Sequence, residues 1–271
     1  MPRPILSTQS DSTVLSLFPA GGITRSQDWL EIADASRQLA DSNIYLTSHS
    51  SLELRNISDG DAVIERLATT TLHTSPCRVV ASPLNSRARE LARLIGEAAP
   101  ESTKDNIVIG VDSGDGLIAS HHPHVCVTLI ENTTEVRVNV LEREIRTEIG
   151  EAPSAVAEIL QGFDANKTAE AQLADAELIN APLKNSQLPI GWLADHMPSG
   201  RVELGVGLFD GVMSAEIAEI LGKMEVPVTI TPWKGLVLHD LSEGDADVVV
   251  RVLAPRGLIF DVNSPFLSRG C

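Results

Sequence analysis

Cysteine, aromatic residues and positive charge are all scarce in this chain. Its 271 residues include three cysteines, Cys77, Cys126 and Cys271, and aromatic side chains make up 3%. Three scattered thiols cannot build the disulfide framework of a small secreted protein, so a reducing, cytoplasmic setting is expected. With so few rings, the core falls to Leu, Ile, Val and Ala. Lysine and arginine total 21 against 37 Asp and Glu, a formal net charge of −16. Such a surface repels nucleic-acid phosphates and anionic lipid, which argues against both as partners; a small anionic ligand needs only a few local cations. No apolar run approaches the roughly 20 residues that cross a bilayer, and Met1 to Leu6 lacks the apolar core of a signal peptide.

What is present is ordinary globular usage, 43% hydrophobic and 21% charged, in a length that suits one large unit or two to three small intertwined ones. Thr13 to Phe18 alternates as a strand and Pro19-Ala20-Gly21-Gly22 ends it. Thr24 with Gln27 predicts a capping box, and Trp29, Ile32, Ala33, Leu39 and Ala40 form a helical stripe. Ile44 to Thr47 and Leu52 to Leu54 read as short strands around a polar turn.

The chain repeats itself. Shifted by 184 positions, so that Thr47 falls on Thr231, it matches Leu52, Leu54, Ser58, Gly60, Asp61 and Ala62 with Leu236, Leu238, Ser242, Gly244, Asp245 and Ala246. Asn56/Asp240, Ile57/Leu241 and Asp59/Glu243 are conservative pairs in the same window. Upstream, across a four-residue gap, Ser26, Glu31 and Ile32 correspond to Ser214, Glu219 and Ile220. The second copy predicts the same order of strand, helix, strand, strand: 202–208, 214–224, 228–231 and 236–238. Between the copies, Cys77 to Leu84 opens as a strand, Arg87 to Ala99 is an amphipathic helix, and Asn106 to Asp112 is a buried strand ending at a turn. Val125 to Ile130 and Glu135 to Val140 suggest a hairpin. Helices are predicted over 152–163 and 167–178, and a linker over 179–190. Gly114-Asp115-Gly116 is a turn and not a phosphate loop, since no Lys-Ser/Thr follows.

Four strings carry a family resemblance. Leu15 to Thr24 followed by Tyr45-Leu46-Thr47-Ser48, then Val79 to Leu84, Ile109 to Gly114, and Thr231-Pro232-Trp233-Lys234-Gly235-Leu236 resemble nitrite/sulfite reductases, the last string pointing to the precorrin-3B synthase branch. The resemblance covers about residues 13–260. It implies an α+β fold: two ferredoxin-like half-domains related by pseudo-twofold duplication, with one tetrapyrrole-binding α+β domain between them. The expected bounds are 10–75, 76–190 and 191–258, with 259–271 as the start of a cluster-binding domain that is otherwise missing. The function it implies is a precorrin-3B synthase-like oxidoreductase of cobalamin biosynthesis. Non-catalytic tetrapyrrole-binding remnants, nitrite/sulfite reductase-like fragments and unrelated ferredoxin-like ligand-binding modules stand as alternatives.

A precorrin or sirohaem carries many carboxylates, so its pocket needs cations and amide donors. By the resemblance those positions fall at Thr47, His49, Glu53, Arg78, Asn106 and Lys234. The family commonly has Arg where His49 stands, Gln where Glu53 stands, and Lys at Asn106 and Val108. Charge-assisted hydrogen bonds contribute about 1.5–3 kcal/mol each, so losing two weakens binding by roughly two orders of magnitude or more. Arg78 and Lys234 remain as anchors, His49 serves when protonated, and Glu53 repels a carboxylate unless it meets a pyrrole N–H. His49 also reads as a solvated turn residue, and Lys234 as an exposed turn with its stem on Trp233. The family's 4Fe-4S cluster takes four thiolates, more than three cysteines supply, so this chain alone is not expected to hold it; Cys271 lies near the place of the first ligand. An electron donor or a complementing chain is an expected partner. His121, His122 and His124 beside Cys126 admit a zinc or iron reading and, equally, an exposed loop.

Overall fold

The computed structural model describes residues 5–9, 12–68, 70, 72, 76–103, 106–140, 143–162, 188–194 and 197–267. The helix expected over 167–178, most of the linker and Cys271 lie outside them. By its contacts the chain forms two compact units, one drawn from 4–17, 23–72 and 187–271, the other from 1–3, 18–22 and 73–186.

The first unit is the repeat. Its leading copy runs β1 (Ile5–Gln9), β2 (Ser12–Leu17), β3 (Ile23–Thr24), α1 (Ser26–Leu39), β4 (Asn43–Leu46), β5 (Leu52–Arg55) and α2 (Gly60–Leu67). Alternation sets the faces: Leu15 and Leu17, Ile44 and Leu46, and Leu52 and Leu54 all point into the core.

The chain returns to this unit after the intervening 73–186. That stretch supplies β6 (Arg78–Ala81), α3 (Ser86–Ala98), β7 (Val108–Asp112), β8 (Val125–Leu129), β9 (Glu135–Val140), β10 (Arg143–Glu148) and α4 (Ala152–Gln161). The second copy then runs β11 (Gly191–Leu193), β12 (Arg201–Val206), β13 (Val212–Ser214), α5 (Ala215–Lys223), β14 (Val228–Ile230), β15 (Leu236–Ser242) and α6 (Glu243–Leu253).

Each copy gives away a strand. One sheet has the order β1-β2-β5-β4-β13 and the other β11-β12-β15-β14-β3, so β13 of the second copy edges the first sheet and β3 of the first copy edges the second. The registers are equivalent. Thr24 pairs with Val228 and Ile23 with Thr229, while Met213 pairs with Ile44 and Val212 with Tyr45. Ile44/Val228 and Tyr45/Thr229 are repeat mates at a shift of 184, so Thr24 and Met213 are mates at a shift of 189. The five-residue difference lies in the helix, 14 residues long in α1 and nine in α5. This corrects the four-residue gap read from the sequence: the helix-entry residues that correspond are Arg25 and Ser214, not Ser26 and Ser214.

The backbone repeats where it is least free to. Left-handed φ angles recur at Ser50 and Lys234 (54° and 56°), at Asn56 and Asp240 (58° and 55°), and at Gly22 and Gly211 (70° and 73°). Non-glycine residues seldom adopt such angles, so recurrence at fixed spacing marks one unit used twice. The two copies share one core that includes Trp29, Ile32, Ile44, Leu54, Leu204, Met213, Leu221 and Leu236. Helix α5 approaches α1 at Gly222, where a Cβ would lie 2.5 Å from Leu30 Cδ2 and 3.0 Å from the Leu30 nitrogen.

The capping box expected at Thr24 and Gln27 does not form. Thr24 belongs to β3, and its hydroxyl donates to the Val228 carbonyl (2.8 Å) while accepting from Trp29 Nε1 (2.9 Å). Helix α1 is closed instead by Asp28, whose carboxylate accepts from the Arg25 N–H at 3.0 Å.

The second unit carries one mixed sheet, order β10-β9-β8-β7-β6, in which β6, β7 and β8 run parallel and β9 and β10 antiparallel. Its core joins Val79, Ile109, Val127 and Val138 to Leu91 and Ile95 of α3 and Val156 of α4. The architecture is α+β, two ferredoxin-like halves about a pseudo-twofold and one further α+β unit.

The buried Thr24 hydroxyl makes a test of the exchanged strand. Thr24→Val keeps the shape but leaves Trp29 Nε1 and the Val228 carbonyl without their partner, and urea unfolding should show a loss of about 1–3 kcal/mol. Unchanged stability would contradict the bridging role.

Candidate functional site

The duplicated unit places two equivalent turns side by side. The Thr47 N–H donates to the Ser51 carbonyl and the Thr231 N–H to the Gly235 carbonyl, both at 2.9 Å. Within each loop the threonine hydroxyl accepts a backbone N–H, from His49 in the first and from Gly235 in the second, both at 3.2 Å. Ser50 and Lys234 hold the same left-handed position in the two loops. Gly211 lies between them. A Cβ on Gly211 would meet the Leu46 carbonyl oxygen and Lys234 Cβ, each at 2.8 Å. The absence of a side chain there, at a φ of 73° that glycine tolerates freely, lets the end of β4 and the Lys234 turn close together. Thr47, His49 and Lys234 are half-buried, while Ser50 is buried with its hydroxyl unpartnered among the described residues.

Glu53 is engaged differently from the sequence expectation. It lies on β5 between Ser16 and Tyr45, and its carboxylate accepts from Arg55 Nε at 3.1 Å and Nη2 at 2.8 Å. The Arg55 guanidinium in turn stacks 4.0 Å from the centre of the Tyr45 ring. Tyr45 donates its hydroxyl to Asp41 at 2.8 Å; burial, then this bond and the Asp41 charge, push its pKa up. The charge that Glu53 adds to the region is offset locally by Arg55.

Arg78 and Asn106 belong to the other unit and meet at the end of the sheet where β6 and β7 begin. The Arg78 N–H donates to the carbonyl of Ile107 at 3.0 Å, immediately after the exposed Asn106. The Arg78 guanidinium sits 5.4 Å from the Phe18 ring centre, within cation–π range. His124 joins them there, its Nδ1 accepting the Val108 N–H at 3.0 Å. Burial holds the pKa of His124 below its ordinary value of 6.5, and the Arg78 charge acts in the same direction. Burial, with the charge of His122, depresses His121 likewise.

No three of His, Cys, Asp or Glu group as a metal site among the described residues, so the zinc or iron reading of His121, His122, His124 and Cys126 has no geometry behind it. Cys77 is fully buried in the core of its unit. Burial, then the Asp112 charge, pushes the Cys126 thiol up to about 11. A 4Fe-4S cluster takes four thiolates. One packed thiol, one thiol held protonated and Cys271 do not make that set.

No protein-family model matches the chain, and neither does any curated protein. Among solved structures, the NirA protein of Mycobacterium tuberculosis superposes on it with a TM-score of 0.65 at 14% sequence identity, over 93% of this chain and 58% of that chain. The fold is nitrite/sulfite reductase-like. At that identity the likeness concerns architecture, and this chain spans little more than half of the NirA chain. The sequence expectation of duplicated halves with an α+β unit between them agrees with it. No helix among the described residues is long and apolar enough to cross a membrane.

Sequence reasoning missed Gly211, and it read His124 only as a candidate metal ligand and not as a neighbour of Arg78. Gly211 had a signal, since it repeats Gly22 at the corrected spacing of 189. His124 had none, because its bond to Val108 depends on the parallel alignment of β7 and β8.

Both imidazoles protonate at lower pH in the folded chain than in the unfolded one. The unfolded state therefore binds more protons as pH drops below 6.5, and stability should fall in that direction. Chemical unfolding at stepped pH measures the slope, and His124→Gln should reduce it. An equal slope in the variant would remove His124 from the account. The Cys126 thiolate should be only about one part in a thousand at pH 8, so its alkylation, followed by mass spectrometry, should accelerate steeply towards pH 11. Labelling at the rate of a free thiol at pH 8 would contradict this.

Proposed function

We propose that the chain binds a tetrapyrrole carboxylate of the precorrin or sirohaem class and is a precorrin-3B synthase-like protein of cobalamin biosynthesis. The observation that carries the reading is the pair of equivalent turns meeting at Gly211, with His49 beside one and Lys234 in the other. By the family resemblance Arg78 of the α+β unit is a further candidate cation, its guanidinium beside the Phe18 ring of that unit. Lys234 acts as a point charge on a flexible stem and Arg78 as a fork able to grip a carboxylate with two N–H groups. Asn106 offers an amide donor next to Arg78. Thr47 holds the first turn closed so that His49 keeps its place.

Binding is better supported than redox turnover. The paired turns that hold His49 and Lys234 support binding, whereas the three thiols of this chain are fewer than a cluster takes. Oxidation of the bound ligand by molecular oxygen, with one oxygen atom entering the ligand and the other leaving as water, would therefore take its two electrons from a donor or complementing chain. A non-catalytic tetrapyrrole-binding protein is the second reading, favoured by that thiol set and by His49 and Glu53 standing where the resembling family has Arg and Gln.

Titrating the purified chain with sirohaem and recording the absorption spectrum tests the proposal. Saturable spectral change is expected, with Arg78→Gln and Lys234→Gln each weakening binding about ten- to a hundredfold. Absence of any spectral change at high micromolar sirohaem would overturn the reading.

A further inference from the structure

At the end of the α+β unit's sheet opposite Arg78 and Asn106, a cavity of about 490 Å³ is lined by Ser113, Gly114, Asp115, Glu131, Arg137 and Arg146, with two apolar residues from the end of β8. Its volume is within the range of small-molecule sites. Asp112, Thr128, Arg137 and Arg146 are direct register partners across β7, β8, β9 and β10, so their side chains share one face. Two arginines thus stand directly opposite each other on antiparallel strands, an arrangement that is unfavourable when nothing lies between the charges. Arg137 is the more constrained. Its Nε is buried without an acceptor among the described residues, whereas Arg146 is largely exposed and paired with Glu144 at 3.2 Å.

The neighbouring acids do not supply the missing acceptor. Asp112, fully buried, is saturated by four backbone N–H groups: Gly114 (2.7 Å), Gly116 (3.1 Å), Ile118 (2.9 Å) and Ala119 (3.0 Å). Asp115 accepts from the Leu117 N–H (2.9 Å) and the Ser113 hydroxyl (3.0 Å). The same bonds decide the kind of anion. Phosphate sites in loops are built from free backbone N–H groups, and here those of Gly114, Gly116 and Leu117 are spent internally while that of Ser113 goes to Ser82 Oγ at 2.9 Å. Of the N–H groups of 113–117 that leaves the one of Asp115, a single donor where a phosphate loop presents several, so the two guanidiniums are the main donors, and their fork geometry suits carboxylate. Asp115 and Glu131 in the same lining repel any anion, and only a ligand that also carries hydroxyl or ammonium donors for them to accept from offsets that repulsion.

We propose that this cavity binds a small hydroxy- or amino-polycarboxylate, its carboxylate bridging Arg137 and Arg146, at a site separate from the one argued above. Isothermal titration of the full chain with citrate at low ionic strength, with inorganic phosphate as comparator, tests it. Citrate should bind and phosphate should bind at least about tenfold more weakly. Arg137→Gln and Arg146→Gln should each cost about ten- to a hundredfold in citrate affinity, while Arg93→Gln, paired with Glu90 and Glu97 within α3 of the same unit, should leave it unchanged. Arg146 is exposed on an edge strand, so its variant reports even where Arg137→Gln does not fold. Three results would overturn the proposal: no heat of binding up to about 10 mM citrate, wild-type affinity in Arg146→Gln, or phosphate binding as tightly as citrate. Arg137→Gln should leave the sirohaem titration untouched, which separates failure of this site from failure of the other.

Discussion

Everything in the duplicated unit depends on the reciprocal loan of a strand. Neither half-domain completes its own sheet: β4 would be a bare edge of the first sheet without β13, and β14 a bare edge of the second without β3. An unpaired edge exposes a row of backbone donors and acceptors, and the exchange satisfies both rows with two very short strands. The Trp29 indole and the Thr24 hydroxyl then tie α1 of one copy to β14 of the other through buried hydrogen bonds. Once the strands are exchanged, α1 and α5 must lie against each other, and Gly222 permits the approach. The same geometry brings the turn after β4 and the Lys234 turn to the two sides of Gly211. The candidate site is therefore a consequence of how the halves interlock and not a feature of either half alone.

How much of this the sequence discloses depends on whether the determining interaction is local. The duplication was legible because Leu52, Leu54, Leu236 and Leu238 fill the same core positions and because Asn56/Asp240 must both tolerate a left-handed backbone. The exact spacing was not, since five residues are missing from the end of a helix and chance identities at Ser214, Glu219 and Ile220 disguise the shift. The exchanged strands β3 and β13 are only two and three residues long, too short for any alternation pattern to show. Helices α2 and α6 were obscured for a related reason. Each begins in a polar run, Ser58 to Asp61 and Ser242 to Asp245, with a glycine in its first turn that lowers helical propensity; their side-chain caps at Asp59 and Ser242 and their buried faces outweigh it.

Electrostatics separates what the chain is overall from what it is locally. A net charge of −16 sets the far field, yet several acids near the candidate residues have a specific local engagement. Glu53 is held by Arg55, and Asp112 and Asp115 are consumed in folding the loop after β7. Sequence reasoning treated Glu53 as a repulsive substitution because only its position in the repeat was visible; the arginine two residues on, directed back along β5 and stacked on Tyr45, was what changed its meaning.

Asp112 shows why a chemically active residue type need not make an active site. A carboxylate at the carboxyl end of a parallel strand, followed by Ser-Gly-Asp-Gly, looks like a ligand-binding turn, and ligands do gather at that end of such sheets. Here four backbone N–H groups converge on the carboxylate itself, so most of the loop's donors are spent in holding its own shape. What that closure does is fix the loop against β8 and β9, and the fixed loop walls the cavity in which Arg137 is left without an acceptor. The binding capacity passes from the residue that the motif advertises to the residue two strands away that the motif immobilises.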